Sequence, residues 1–210
     1  TRCLSDWSSD VCSSDLPLVF FDRVCRTNEV STVVVDNVQA AQKITKHFYD
    51  SGSRRIAYIT GPKYLNISQE RAMGYMAGLK KCKLKFYPEL LEKCNLSTKD
   101  AMKATARLLD LPEPPDAIFG INDTVVFAAM KEIKRRGLRI PEDVALVGFT
   151  DDFHSTVVDP ALTSVTHPTF EIGKEAARLF FKSIENQEKE TEQIVLKTKL
   201  VVRNSSVKRS

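Results

Sequence analysis

Apolar and polar positions along the chain fall into short blocks that alternate between a strand-like and a helical period. "LVFF" (18–21) and "TVVV" (32–35) are β-branched and aromatic runs bounded by polar residues, which predicts strands. Val38, Ala41, Ile44, Thr45 and Phe48 recur at helical spacing, and Gly52 stands where a C-terminal cap glycine belongs. "IAYIT" (56–60) reads as a buried strand closed by Gly61-Pro62. Ala72, Met73, Met76 and Leu79 then mark a second helix, with Ser68 as its N-cap. "STKD" (97–100) opens a third helix in the manner of a capping box, with Asp in place of the longer Glu. "PEPPD" enforces a loop, "AIFGI" (117–121) is a strand, and 124–136 is a helix ended by Gly137. "VALVGFTDD" (144–152) is an apolar strand that turns acidic at its tip. After a long loop come an amphipathic helix, "FEIGKEAARLFFKSI", and a final strand, "QIVLKTKLVV".

Strands alternating with helices at these lengths predict an α/β fold. Its sheets are mostly parallel, flanked by helices on both faces and joined by right-handed crossovers. Ligands of such sheets bind outside the carboxyl ends of the strands. Gly61-Pro62, Asn122-Asp123 and Thr150-Asp151-Asp152 all follow strand ends, so they are expected to gather at one rim. A rim of amide, hydroxyl and carboxylate groups suits a small polyhydroxy or heterocyclic ligand.

Composition narrows the classes. The chain has 210 residues, 42% hydrophobic and 28% charged, enough for a real core. No stretch approaches the run of about 20 apolar residues that spans a membrane. The net charge of +4 comes from scattered Lys and Arg, which argues against a concentrated DNA-binding face in this segment. Cys3, Cys12, Cys25, Cys82 and Cys94 show no C-x-x-C spacing and read as free thiols in a reducing compartment. Residues 1–16, "TRCLSDWSSDVCSSDL", have no hydrophobic period and no apolar segment of a secretory signal. They resemble a translated sequencing adapter and are set aside as a non-native segment, Trp7 included. The expectation is a fragment whose native beginning lies upstream.

Several residues carry candidate chemistry. Arg71, read as lying in the first turn of its helix, should lean past the helix start into the rim, where its planar fork suits paired hydroxyls or a carboxylate. The plain alternative is an exposed Arg paired with Glu70 or Glu89. Asn122 both donates and accepts and is the better ligand contact, whereas Asp123 or Thr124 would cap the following helix. Phe119 is either core or a ring for stacking on a ligand. Val125, Val126, Phe127, Ala128, Ala129, Met130 and Ile133 cover more than one helix face, which suggests a second subunit against the face the sheet leaves open. Asp151 and Asp152 could be acid and base, metal ligands, or acceptors for hydroxyls, and His154 and His167 lie near them in sequence. No Gly-rich phosphate loop, G-x-S-x-G elbow or H-E-x-x-H occurs, so binding without chemistry is the simpler reading.

A longer resemblance sharpens this. "GP" followed by "RAMGY", then "AIFGINDTVVFAAMKEIKRRGLRIPEDVALVGFTDD", "VDPALTSVTHPTFEIGKEAARLF" and "LVVRNSS" resemble the effector-binding domain of lactose-repressor/galactose-repressor family transcription regulators. The likeness runs in order from Pro17 to Ser206. It implies a periplasmic-binding-protein-like (type I) α/β fold with two subdomains and a ligand cleft. Residues 37–166 would form the C-terminal subdomain. Residues 17–36 and 167–192 would belong to an incomplete N-terminal one, and 193–210 would supply the final strand and tail. It also implies a helix-turn-helix upstream that grips operator DNA, a small-molecule effector (a sugar, a sugar derivative or a nucleobase), a homodimer and a cytoplasmic regulator with no cofactor.

Carried over by position, Arg71 matches the family's effector-binding arginine, Asn122 a polar residue of the cleft, and Phe119 the place where purine-binding members stack a ring. Phe127 and Val158 fall on the family's dimer surface. Many members have Tyr-Asp-Asp after the strand glycine. Here Phe149-Thr150-Asp151 follows Gly148, so the usual ligand aspartate aligns with Thr150 and its role would pass to Asp151. On this reading Arg71→Ala should abolish effector binding and leave the fold intact. Two rivals remain: a periplasmic sugar-binding protein of a transporter, and a metal-dependent enzyme using Asp151 and Asp152.

Overall fold

The computed structural model describes residues 17–24, 30–185 and 191–207. The segment set aside above lies outside these, as do Cys3, Cys12 and Cys25; Cys82 and Cys94 are free thiols. The chain forms two compact units, one holding the residues up to Asp36 together with Pro168–Lys197, the other Asn37–His167 and the residues from Thr198 on.

The first unit has strands β1 (Val19–Phe21) and β2 (Ser31–Val35), joined by β8 (Gln193–Leu196) in a parallel sheet of order β1-β2-β8. Helix α5 (Thr169–Glu185) packs on all three strands. It buries Ile172 and Leu179 and leaves Phe170 and Phe181 exposed.

The second unit begins with α1 (Asn37–Asp50), whose inward face carries Ala41, Ile44, Thr45 and Phe48, as its period predicts. Gly52 closes it at φ 93, a conformation open to glycine at no steric cost. Then follow β3 (Ile56–Thr60), α2 (Asn66–Lys81), β4 (Leu91–Lys93), α3 (Thr98–Leu109), β5 (Ala117–Gly120), α4 (Asp123–Arg135), β6 (Ala145–Thr150), β7 (Thr163–Thr166) and β9 (Leu200–Val201). The sheet order is β4-β3-β5-β6-β7-β9, parallel throughout except where β9 runs antiparallel to β7. Ser97 caps α3 through the Asp100 N–H at 3.1 Å, as the sequence indicated. Helix α2 starts two residues before Ser68; its N-cap, Leu65, has no capping side chain, so the serine read as a cap lies buried in the first turn.

Two further expectations are corrected. The stretch read as one final strand is two. Its first half joins β2, the polar Lys197-Thr198-Lys199 passes to the second unit, and its second half joins β7. The broad apolar surface of α4 needs no second subunit: Val125, Val126, Ala128, Ala129, Met130 and Ile133 are buried within this chain, because α3 packs on the side the sheet leaves open. Among the described residues no helix is long and apolar enough to cross a membrane.

The tail is sewn into the second unit. Ser205 donates its hydroxyl to the Leu146 carbonyl (2.7 Å) and accepts from the Thr163 N–H (2.8 Å). Ser206 joins the Thr163 hydroxyl and the His47 Nε2, each at 2.7 Å. Burial holds the His47 imidazole below its ordinary pKa.

Candidate functional site

Strand order reverses between β3 and β5. From β3 the chain crosses through α2 to β4 on one side, and from β5 it crosses through α4 to β6 on the other. With right-handed crossovers the two helices lie on opposite faces and leave a crevice at the carboxyl ends of β3 and β5. Arg71, on α2, and Asn122, before α4, flank that point.

Arg71 is 3% exposed. It lies in the second turn of α2, because the helix begins earlier than Ser68 suggested. Its Nε donates to the Asn37 Oδ1 at 2.9 Å, its Nη1 donates to the Ile121 carbonyl, and its guanidinium carbon stands 3.4 Å from the centre of the Phe149 ring. The cation is thus held over an aromatic face, with two donors directed by protein acceptors. Asn37 in turn donates its Nδ2 to Glu70 (2.8 Å).

Asn122 is the N-cap of α4: its Oδ1 accepts from the Val125 N–H at 2.9 Å. Asp123 and Thr124, the caps expected from sequence, do not hold that place. The Asn122 amide NH2 has no acceptor among the described residues and remains able to donate outward. Asp123 is buried and accepts from the Ser164 hydroxyl (2.6 Å), the Asp152 N–H (2.8 Å) and the Ser155 hydroxyl (3.1 Å). Burial raises its pKa, and these three donors act against that shift. Asp123 therefore fixes the loop after β6 to the start of α4.

The loop is strained. Thr150 has φ 133 and Asp151 φ 56, side by side and neither a glycine. Such conformations cost about 1–3 kcal/mol each and persist where the surroundings over-determine them. Thr150 is exposed at the strand end. Asp151 is bound to Arg203 at 2.7 Å, and Arg203 also donates to the Leu162 carbonyl. Asp152 caps the short helical turn 153–156 and accepts from the His154 N–H (2.8 Å) and Nδ1 (2.5 Å), bonds that hold its carboxyl below the usual range.

Phe119 is corrected. Its ring is fully buried and stacks on Tyr58 at 4.5 Å, and Tyr58 also contacts the tilted Tyr75 ring at 5.7 Å, so Phe119 belongs to the core. The ring that faces the candidate arginine is that of Phe149. Phe119 pairs in register with Val147, and Phe149 lies two residues further along the same face, about 7 Å nearer the rim. Asn37 and Arg203 were likewise missed, since each meets its partner far along the chain and neither sits in a local pattern. Among the described residues no group of three or more His, Cys, Asp or Glu could hold a metal ion.

Phe127 is half-buried with its ring edge-on to His154, Val158 is half-buried, and Phe153 and Val157 beside them are exposed.

Comparison with known proteins points one way. The periplasmic binding protein-like domain matches residues 45–206. The HTH-type transcriptional repressor CytR of Escherichia coli (strain K12) is 31% identical over 190 residues, 90% of this chain and 56% of CytR. The HTH-type transcriptional regulator CelR of Thermobifida fusca is 34% identical over 177 residues, 84% of this chain and 52% of CelR. A solved transcriptional regulator CelR–cellobiose complex superposes with a TM-score of 0.84 at 33% identity, covering 89% of this chain and 58% of that one. The chain spans a little over half the length of the curated relatives it matches.

Proposed function

Because the chain belongs to the periplasmic binding protein-like family, as the effector-binding domain of a lactose-repressor/galactose-repressor regulator, we propose that it senses a small polar effector at the carboxyl ends of β3, β5 and β6. The observation that carries this reading is Arg71, buried on Phe149 at the switch point of the sheet and oriented by two acceptors. Such a cation is pre-organised for hydroxyls or a carboxylate. The outward amide of Asn122 and the exposed Thr150 add a donor and a hydroxyl. With Asp151 committed to Arg203, Thr150 is the better candidate for the contact at that position. A sugar or sugar derivative is the effector class this donor-rich rim suits best.

In the whole protein, effector binding would favour one arrangement of the two lobes and pass it to a helix-turn-helix on operator DNA. A homodimer through the surface around Phe127 and Val158, flanked by exposed Phe153 and Val157, would set the spacing of two such heads in the cytoplasm. The domain binds and does not turn over its guest.

The test is thermal unfolding of the chain with D-ribose, cellobiose, cytidine and hypoxanthine, followed by calorimetry on any compound that raises Tm. A ligand at 100 times its Kd stabilises by about 2.7 kcal/mol, which a melting curve resolves. Thr150→Ala should weaken the compound that binds. Chemical conversion of a bound compound, or full affinity in Thr150→Ala and Asn122→Ala together, would overturn the assignment.

A further inference from the structure

Asn37 is the first residue of the second unit; the first unit ends one residue earlier, at Asp36. It is buried, and its amide touches the helix of the candidate arginine twice, accepting from the Arg71 Nε at 2.9 Å and donating to Glu70 at 2.8 Å. The residues that follow are clamped to the same helix. A methyl group at Gly74 would stand 2.7 Å from the Ala41 Cβ and closer still to the Val38 carbonyl, so the first turn of α1 lies directly on α2. That turn therefore cannot move closer to α2 while α2 stays where it is.

The other two crossings between units also end near the rim. His167, the last residue before the chain returns to the first unit, donates its N–H to the Thr150 carbonyl at 3.2 Å. Lys199, one residue past the third crossing's first residue Thr198, exchanges two bonds with Thr166. Its carbonyl accepts from the Thr166 N–H at 2.8 Å, and its N–H donates to the Thr166 Oγ1 at 3.0 Å. Thr166 is in turn the register partner of Thr150.

We infer that Asn37 is a positioning residue that ties Arg71 to the first chain crossing, so that whatever occupies the guanidinium is felt at the point where the chain passes between units. This rests on the reading of Arg71 as the ligand arginine, but its test needs no ligand.

The experiment uses the full chain labelled with 15N-arginine. The exchange rate of the Arg71 Nε–H, assigned by its loss in Arg71→Lys, is read by NMR, and backbone exchange of residues 38–41 by mass spectrometry. Asn37→Ala should speed exchange of the Arg71 Nε–H by about tenfold or more, the factor one charge-assisted hydrogen bond is worth. Asn37→Asp keeps the acceptor but would set a carboxylate against Glu70, so it is combined with Glu70→Gln; that pair should hold the rate near or below wild type, a rescue that mere packing would not give. Arg71→Lys should in turn speed exchange of residues 38–41 and leave α3 unmoved. If Asn37→Ala does not fold, the Arg71→Lys arm decides. An unchanged Nε–H rate in Asn37→Ala, failure of Asn37→Asp with Glu70→Gln to rescue it, or unmoved 38–41 amides in Arg71→Lys would overturn the inference. Absence of any binding sugar or nucleoside would instead count against the effector reading alone.

Discussion

Arg71→Ala is a different perturbation in the structure from what the sequence suggests. From the sequence it is a ligand knockout with an intact fold. In the structure the guanidinium is almost wholly buried, and its neighbours include Asn37, the Ile121 carbonyl and the Phe149 ring. Each hydrogen bond from a charged donor contributes roughly 1.5–3 kcal/mol. The desolvated contact with Phe149 contributes about 2 kcal/mol. Removing the cation also releases its desolvation cost of several kcal/mol, so these terms do not simply add.

What remains after truncation decides the sign. The Ile121 carbonyl and the Asn37 Oδ1 lose their donors, Asn37 keeps only its bond to Glu70, and Phe149 faces a cavity. Taking one partner out of a buried charged network costs about 3–5 kcal/mol. In a domain of this size each kcal/mol moves Tm by about 2–4 °C, which places the expected drop at roughly 6–20 °C. Circular dichroism melts of wild type, Arg71→Ala and Arg71→Met measure it. Arg71→Met retains an apolar stem over Phe149 and should recover part of the loss. A Tm for Arg71→Ala within about 2 °C of wild type would show that the guanidinium contributes nothing to the fold and would refute the reasoning.

Further outcomes follow from the packing and the titratable groups. Gly74→Ala drives a methyl group into Ala41 and the Val38 carbonyl and should cost about 1–3 kcal/mol, read as a lower urea midpoint; an unmoved midpoint would mean that α1 and α2 are not in close contact. His47 is held below its ordinary pKa of 6.5 by burial, so the unfolded chain takes up its proton first. Stability is therefore full above pH 6.5 and declines as pH falls below it; His47→Gln should flatten that part of the profile, and an identical profile would exclude His47 as its source. The Glu132 carboxyl, between Arg135 and Arg136, is held down to about 2 by their hydrogen bonds, so its contribution is present above 4.5 and lost as pH falls toward 2. In Glu132→Gln this acid-side loss should shrink; if acid unfolding is unaltered, the pairs with Arg135 and Arg136 are not its cause.

The elements that sequence made legible were those with a strong period or a side-chain signal of their own. The inward stripe of α1, the Ser97 cap and the turn at Gly52 are all set within a few residues. Strand β4 has three residues, LEK, and no period to detect. Helix α2 begins without a capping side chain, so Ser68 looked like its start. The two-sided apolar character of α4 was visible, but periodicity says only that a second face is covered, not that α3 of the same chain covers it. The site residues divide in the same way. Arg71 is legible from its place near a helix start and from the "RAMGY" of the resemblance, and Asn122 from its place after a strand end, whereas the Arg71–Asn37 and Asp151–Arg203 contacts join residues 34 and 52 positions apart. Phe119 and Phe149 are indistinguishable in sequence. Only the register of β5 against β6 places one in the core and the other under the guanidinium.

The same long-range contacts explain why an apolar strand ends in two carboxylates. Each is used to shape the loop. Asp152 caps the turn that follows, through His154, and its own N–H is held by Asp123. Asp151, in a left-handed conformation, closes on Arg203 from the tail, and its N–H donates to Ser164. Ser164 and Asp123 share a further bond, so strand β7, helix α4 and the tail all grip this one corner. A grip from three directions can sustain a β-branched residue at φ 133, and that residue is Thr150. The acidic pair thus spends its charge on the protein and presents a neutral hydroxyl at the rim. On the proposed reading, a guest there would meet the buried Arg71 cation, the Asn122 amide and the Thr150 hydroxyl, groups that suit a neutral, hydroxyl-rich compound better than a cation.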